Sequence, residues 1–384
     1  MIATGHFWRG KRVLLTGHTG FKGSWLLLWL LELGAEVWGY ALEAEPEPNL
    51  FRQLSHEFLA DTQLSNRCHH HQGDLADKDG LADFVQRCQP QLVFHLAAQP
   101  LVRRSYQDPL GTWATNVQGS LHLLEALKPL QHRCAVVMVT TDKVYENREW
   151  PYGYRENDPL GGHDPYSASK AGAELAIASW RSSFCGAAAH QTSQLRIATA
   201  RAGNVIGGGD WAEDRIVPDA IRALAVGEPI AIRNPVATRP WQHVLEPLGG
   251  YLRLAEALAS EPEPPCEAFN FGPPLASNRC VQELVGSILE HWPGRWIDQS
   301  DPSAPHEASL LHLQIDKAHH RLGWSPAGTT PPRLSAPWAG IEPSTTVPVL
   351  LAVVRPTLLH LGPCDHCHNL LYDLHSPAAQ SPDP

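Results

Sequence analysis

Tyr166 and Lys170 stand four residues apart in Pro165-Tyr166-Ser167-Ala168-Ser169-Lys170. That spacing is about one helical turn, so both side chains leave the same face of a helix. An ammonium beside a phenol favours the phenolate, and a phenolate can take a proton from a substrate hydroxyl. The pair alone also occurs on solvated helices, so its meaning depends on company. Some 150 residues upstream runs Thr16-Gly17-His18-Thr19-Gly20-Phe21-Lys22-Gly23, and Thr140-Thr141-Asp142-Lys143 lies between the two. Glycines at this spacing permit a tight turn, close approach of a pyrophosphate, and tight packing of helix on strand. The helix that follows then offers its unpaired N–H groups to the phosphates. An ordinary glycine-rich turn is the alternative, but a strand before and a helix after favour dinucleotide binding.

The elements that must position these residues are legible as alternating strands and helices. Arg12 to Leu15, Ala35 to Ala41, Leu92 to Leu96, Ala135 to Val139 and Leu195 to Ala200 read as buried strands. Trp25 to Leu33, Trp113 to Leu127 and Tyr166 to Phe184 read as helices, and Gly34 as a helix stop. This alternation implies an α/β fold, a Rossmann-type doubly wound parallel sheet with right-handed crossovers. Residues 1–200 are expected to form the nucleotide-binding domain with the catalytic residues. Residues 201–325, with Gly207-Gly208-Gly209-Asp210-Trp211 and proline-rich joints, are expected to form a smaller, interwoven substrate lobe.

Bulk properties narrow the class. The chain has 384 residues, 43% hydrophobic and 18% charged, with a net charge of −10. That balance suits a soluble enzyme and argues against a general nucleic-acid binder. No apolar run reaches the roughly 18–20 residues needed to span a bilayer, and Met1 to Trp8 lacks the pattern of a signal peptide. The eight cysteines are mostly scattered and suit reduced thiols, so a cytoplasmic protein without membrane or nucleic-acid partners is expected.

Other positions carry two readings each. Asp74, before Leu75, suits either an adenine edge or a helix N-cap. Strand two ends at Gly39-Tyr40-Ala41-Leu42 with no carboxylate for a ribose hydroxyl, leaving Glu43 as the candidate and the choice between NAD and NADP open. In His95-Leu96-Ala97-Ala98-Gln99 the small residues would let the backbone approach a ribose or nicotinamide. Arg103 and Arg104 suit a phosphate or the surface. His69-His70-His71 reads as a loop tract rather than a metal site.

Taken together, the glycine turn, His95-Leu96-Ala97-Ala98, Asn116, Thr140-Thr141-Asp142 and Tyr166-x-x-x-Lys170 resemble the extended short-chain dehydrogenase/reductases, the NAD-dependent epimerase/dehydratase family. Among them the chain is most similar to the CDP-glucose 4,6-dehydratases. The discriminating segments are Gln99 to Tyr106, Thr141 to Asn147, Arg201 to Trp211 and Arg239 to Val244, with the likeness running over about residues 5–325.

The resemblance implies a lyase that converts CDP-glucose to CDP-4-keto-6-deoxyglucose by an internal NAD hydride cycle, for deoxysugar and surface-polysaccharide (O-antigen) synthesis. It implies catalytic roles for Thr141, Asp142, Lys143, Tyr166 and Lys170: Tyr166 as base at the C4 hydroxyl, Lys170 lowering its pKa, Thr141 at the C4 oxygen, and Asp142 as acid at the C6 hydroxyl. Lys143 stands where dTDP-glucose dehydratases carry glutamate, and both a C5 base and an orienting charge remain open for it. Cofactor contacts are implied for Gly17, Thr19, Gly20, Phe21, Gly23, Asp74, Leu75, Leu96, Ala97, Ala98, Asn116, Tyr166 and Lys170. Substrate contacts are implied for Arg104, Asn204, Arg215, Arg239 and His243, while Trp211 and Trp241 suit either ring stacking or the core. A homodimer or homotetramer is implied, built on the helices at Trp113–Leu127 and Tyr166–Phe184. A different epimerase or dehydratase of the superfamily is the near alternative, and a non-catalytic NAD-binding regulator the distant one.

Beyond Leu322-Gly323-Trp324-Ser325-Pro326 the chain departs from that pattern. Pro326 to Pro384 holds 11 of the 33 prolines and is weakly patterned. It is expected to be a disordered tail or the product of a shifted reading frame. Cys364-Asp365-His366-Cys367-His368 within it resembles half a zinc site without a second half, and no metal is expected.

Overall fold

The computed structural model describes residues 5–46, 48–57, 65–185, 194–301, 303 and 308–326. The tail beyond Pro326 and the Cys364–His368 cluster lie outside the described residues.

Seven strands form one parallel sheet: β1 (Arg12–Thr16), β2 (Glu36–Ala41), β3 (Cys68–Gln72), β4 (Leu92–His95), β5 (Cys134–Val139), β6 (Leu195–Ala202) and β7 (Ala268–Phe271). Their order is β7-β6-β5-β4-β1-β2-β3. The order reverses between β1 and β4, so a crevice opens there at the carboxyl ends of the strands.

Alternate side chains along each strand feed opposite cores. Val13, Leu15, Phe94 and Val137 join α1 (Phe21–Glu32) on one face. Leu14, Val93, Val136 and Met138 join α2 (Lys78–Cys88) and α3 (Gly119–Leu127) on the other, where α4 (Pro165–Phe184) also packs through Ala173 and Ile177. Helix α1 is apolar nearly all round because it is wedged between the sheet and α5 (Leu245–Ser260), leaving no wet face. Both α5 and β7 come from beyond residue 200, so the second part of the chain completes the main sheet. A smaller core of Ala220, Leu224, Ile230, Ile232, Val285 and Ile288 joins the helices Ile216–Ala225 and Val281–Leu289 to the strand Ile230–Ile232.

Two expectations need correction. The tract His69-His70-His71 is not a loop but lies in β3, paired in parallel with β2. Histidine has little strand propensity, and the strand is held by its neighbours: His69 Nε2 lies 2.9 Å from Glu36 Oε1, and His71 stacks on Phe84 at 4.9 Å. The single helix expected over Trp113–Leu127 is interrupted, running as Pro109–Trp113, a π-helical turn Ala114–Gln118, and then α3. The bulge lies at Asn116, and such turns tend to occur where a side chain must be aimed.

Beneath the rim of the sheet, the buried Glu174 carboxylate accepts hydrogen bonds from Thr140 (2.5 Å), Thr199 (2.8 Å) and Arg201 (2.8 Å). Arg201 also donates to the Tyr145 hydroxyl at 2.9 Å. This network pins α4 to β5 and β6 directly behind Thr141. Breaking a buried ion pair strands the remaining charge, at a cost of about 3–5 kcal/mol. Glu174→Gln should therefore lower the unfolding free energy by an amount on this scale, read as a lower urea midpoint; an unchanged midpoint would show the network to be dispensable.

Candidate active site and cofactor crevice

The crevice between β1 and β4 begins at Gly17, whose φ is +75°. A Cβ there would fall 2.6 Å from the Ala97 amide nitrogen, so only glycine fits. At Gly20 the space is open, the nearest heavy atom to a Cβ being the Gly17 carbonyl at 3.5 Å. The first turn of α1 presents N–H groups with no intrahelical acceptor. Across the crevice, the Ala97 amide donates to Thr16 Oγ1 at 3.3 Å, which holds Leu96, Ala97 and Ala98 close to the turn. Thr19 is tied down by donation to the Leu42 carbonyl at 3.1 Å. Bare backbone, open space at Gly20 and a helix N-terminus together fit a dinucleotide.

Several of the expected cofactor positions have partners within the protein. Asp74 Oδ1 accepts from the Ala76 amide at 2.9 Å, the N-cap of α2 is Asp77 rather than Asp74, and Leu75 is buried in the core. Glu43 is largely exposed and pairs with Arg52 at 3.4 Å. At the end of β2 the fully buried His18 fills the space over Gly39, its Nε2 2.6 Å from His70 Nδ1. Asn116 is also buried. Its Oδ1 accepts from the Gln99 amide at 2.9 Å, and its Nδ2 donates to the Gln99 carbonyl and to Ser169 Oγ. Its polar atoms are thus engaged by protein, so the expected direct cofactor contact gives way to a supporting one that fastens the Ala98–Gln99 strap to α4.

Tyr166 and Lys170 are both buried on α4. Asp164 caps that helix, accepting from the Ser167 amide at 2.9 Å, and Pro165 fills its first position. The Tyr166 amide donates to Ser105 Oγ at 3.1 Å, which fixes the start of the helix against the Val102–Gln107 turn. The Lys170 ammonium donates to the Val139 carbonyl at 3.4 Å. Burial lowers Lys170 to about 8, with Glu174 opposing the shift. Burial likewise pushes Tyr166 up to about 12, against a hydrogen bond with Thr141 and the charge of Arg215. Desolvation of the phenolate outweighs these favourable influences, so the net shift of Tyr166 is upward.

Asp142 is 2% exposed and accepts from Thr141 Oγ1 at 3.0 Å. Burial raises its pKa, while Lys143, the Thr141 bond, Arg239 and Lys22 pull it down. Gly203, just past β6, makes room for it: a Cβ there would lie 2.6 Å from Asp142 Oδ2. A carboxyl held dry next to a hydroxyl is suited to giving up a proton.

From the lobe, Arg239 is buried and faces Asp142, and Arg215 pairs with Asp210 at 2.8 Å. Asn204 follows Gly203 and is partly buried. His243 packs edge-on against Trp25 at 5.8 Å, and burial lowers it to about 4. Arg104 is exposed on the Val102–Gln107 helix, whereas its neighbour Arg103 pairs with Asp214 at 3.6 Å. Trp241 is buried and donates to the Arg279 carbonyl, in keeping with a core role. Sequence reasoning passed over Lys22, which belongs to this cluster. The signal was available: Lys22 is the only charged residue in the apolar run Phe21–Leu31.

A crevice for a dinucleotide, with a tyrosine, a lysine and a dry carboxyl at its rim, defines an extended short-chain dehydrogenase/reductase. The family described as GDP-mannose 4,6 dehydratase matches residues 14–260. A CDP-glucose 4,6-dehydratase of Salmonella typhimurium is 47% identical over 323 residues, 84% of this chain and 88% of that protein. A dTDP-glucose 4,6-dehydratase of Streptomyces griseus is 30% identical over 322 residues, 82% of this chain and 89% of that protein. A dTDP-glucose 4,6-dehydratase from Streptomyces venezuelae, solved with NAD bound, superposes with a TM-score of 0.68 at 24% identity, covering 82% of this chain and 92% of that one. The chain belongs to the nucleotide-sugar 4,6-dehydratase family.

His18 and His95 give the site a pH signature. His95, within hydrogen-bond reach of Thr16 (2.8 Å) and Ser120 (3.1 Å), is lowered to about 3 by burial and Lys170; His18 is lowered to about 3 by burial and His70. Below the unfolded pKa of about 6.5 the unfolded chain binds protons that the folded one refuses. Stability should fall as pH drops from about 6.5 towards 3, by up to about 1.4 kcal/mol per pH unit for each histidine. Thermal melts between pH 7 and pH 5 should show a falling midpoint; a flat profile would mean these rings are not held neutral.

Proposed function

We propose that the protein removes water from CDP-glucose, giving CDP-4-keto-6-deoxyglucose, with NAD held in the β1–β4 crevice. The observation that carries this reading is the dry Asp142 carboxyl, hydrogen-bonded to Thr141 on the same rim as Tyr166 and Lys170. A simple 4-epimerase has no need of such an acid, and a non-catalytic nucleotide-binding protein needs neither group. The 47% identical Salmonella relative named CDP-glucose 4,6-dehydratase supports the choice of nucleotide.

Bound NAD supplies a hydride acceptor at C4 and later a hydride donor at C6. Tyr166 accepts the proton of the C4 hydroxyl, and Thr141 steadies that oxygen by hydrogen bonding. Burial keeps Tyr166 protonated at rest, so deprotonation has to be coupled to a cationic neighbour in the loaded site. Lys170 would supply one such charge, and would hold the nicotinamide ribose of bound NAD. Once C4 is a ketone, the C5 hydrogen is acidified; Lys143 is the nearest residue by sequence to Asp142 that could take it when neutral, or orient the sugar when charged. Asp142 gives its proton to the departing C6 hydroxyl, which leaves as water, and the group that took the C5 proton returns one to C5 as hydride is delivered to C6. Arg215 and Arg239 suit a diphosphate through their planar donor forks, with Asn204 and His243 beside them.

We also infer a cytoplasmic enzyme of deoxysugar synthesis that works as a homodimer. Leu110, Trp113 and Leu175 are exposed on neighbouring helices, which supports pairing through that face, and no helix among the described residues is long and apolar enough to cross a membrane.

Incubation with a panel of nucleotide-glucoses tests the activity. CDP-glucose should give a 4-keto product absorbing in alkali, and reaction of a different nucleotide sugar alone would overturn the assignment. Tyr166→Phe and Asp142→Asn should each lower kcat by about 10²–10⁴-fold with CDP binding retained; unimpaired turnover would remove them from the mechanism. Light scattering of Leu110→Glu/Leu175→Glu should report a monomer, and a persisting dimer would place the interface elsewhere.

A further inference from the structure

Lys22 is the second residue of α1. Its neighbours on that turn press on the loop that carries Asp210 and Arg215. The Trp25 indole, three residues on and thus on the same helical face, donates to the Gly208 carbonyl at 2.9 Å. The Phe21 ring lies 3.1 Å from where a Cβ on Gly207 would stand. Lys22 is partly buried and makes no hydrogen bond or ion pair to another described residue. Burial lowers it to about 8, followed by repulsion from Arg215, while Asp142 and Asp210 oppose the shift and Lys170 adds to it. Below that value the ammonium predominates.

The charges of Lys170 and Arg215 and the carboxylates of Asp142 and Asp210 all act on Lys22. Neither carboxylate pairs with it: Asp210 is taken by Arg215 at 2.8 Å, and Asp142 accepts from Thr141 at 3.0 Å. A partly buried ammonium without an ion-pair partner is costly unless an anion enters. The helix N-terminus under Lys22 adds to that demand.

We propose that Lys22 is a diphosphate anchor, reaching from the sheet side of the cleft while Arg215 reaches from the lobe side. This deepens the nucleotide-sugar reading and rests on it. Two molecules of that reading carry a diphosphate, the NAD cofactor and the CDP-sugar, and Lys22 lies between the glycine turn and the catalytic rim.

Lys22→Met and Lys22→Gln, with Lys22→Arg as the charge-retaining control, are titrated by calorimetry with NAD and, separately, with CDP. Loss of one charge-assisted contact should raise one dissociation constant by about 10- to 100-fold, with the arginine variant largely rescued. A rise for NAD alone assigns Lys22 to the cofactor, and a rise for CDP alone assigns it to the substrate. On the wild-type protein, NAD or CDP should shield Lys22 from an amine-acylating reagent read by mass spectrometry, a measurement that does not depend on a variant folding. Equal acylation in every arm, or unchanged binding in folded variants, would overturn the proposal. Turnover is not the readout, so failure to convert CDP-glucose would count against the proposed activity and leave this test standing.

Discussion

Right-handed crossovers between parallel strands bring every strand of the sheet to its carboxyl end on one rim, and the candidate site exists because of that constraint. Gly17 follows β1, Leu96 to Ala98 follow β4, Thr140 to Lys143 follow β5, and Gly203 and Asn204 follow β6. Residues nearly two hundred positions apart thus meet without any long loop to carry them. Tyr166 and Lys170 are the exception, since they arrive on α4. Their placement needs the Asp164 cap, the Ser105 contact and the Asn116–Ser169 bond to hold that helix against the rim.

The rim is dry, and dryness sets its chemistry. Desolvation is the largest influence on Asp142, Tyr166, Lys170 and Lys22, and it drives each towards its neutral form. A neutral carboxyl can donate a proton, whereas a neutral phenol must first lose one. The same environment therefore favours the acid role proposed for Asp142 and works against the base role proposed for Tyr166. Behind the rim, Glu174 and Arg201 show the opposite solution: a buried carboxylate that accepts three hydrogen bonds, one of them from the guanidinium, is held below its ordinary pKa and acts as a brace.

Much of this was legible in the chain. Buried parallel strands read as continuous apolar runs, so β1, β4 and β5 stood out, and the glycine turn announced the crevice. Strand β3 did not, because Cys68-His69-His70-His71-Gln72 has neither strand composition nor alternation. Its strand state comes from pairing with β2 and from stacking on Tyr40 and Phe84. The π-helical turn at Asn116 was hidden for a related reason: a register defect in a helix leaves no periodic mark over five residues.

From the order and spacing of its motifs, the sequence by itself determined the doubly wound sheet, the glycine-lined crevice and the presence of Tyr166, Lys170, Asp142 and Lys143. These follow from local chemistry: glycine's freedom, apolar runs, and one helical turn between two side chains. Only the tertiary structure decided what the charges do. It turned Asn116 inward as a brace, gave the end of β2 to His18, drew Lys22 into the catalytic seam and raised the phenol of Tyr166 despite the lysine one turn away. The physical reason is that spacing along a chain sets which groups can meet, while their ionisation depends on water excluded by residues from every other part of it.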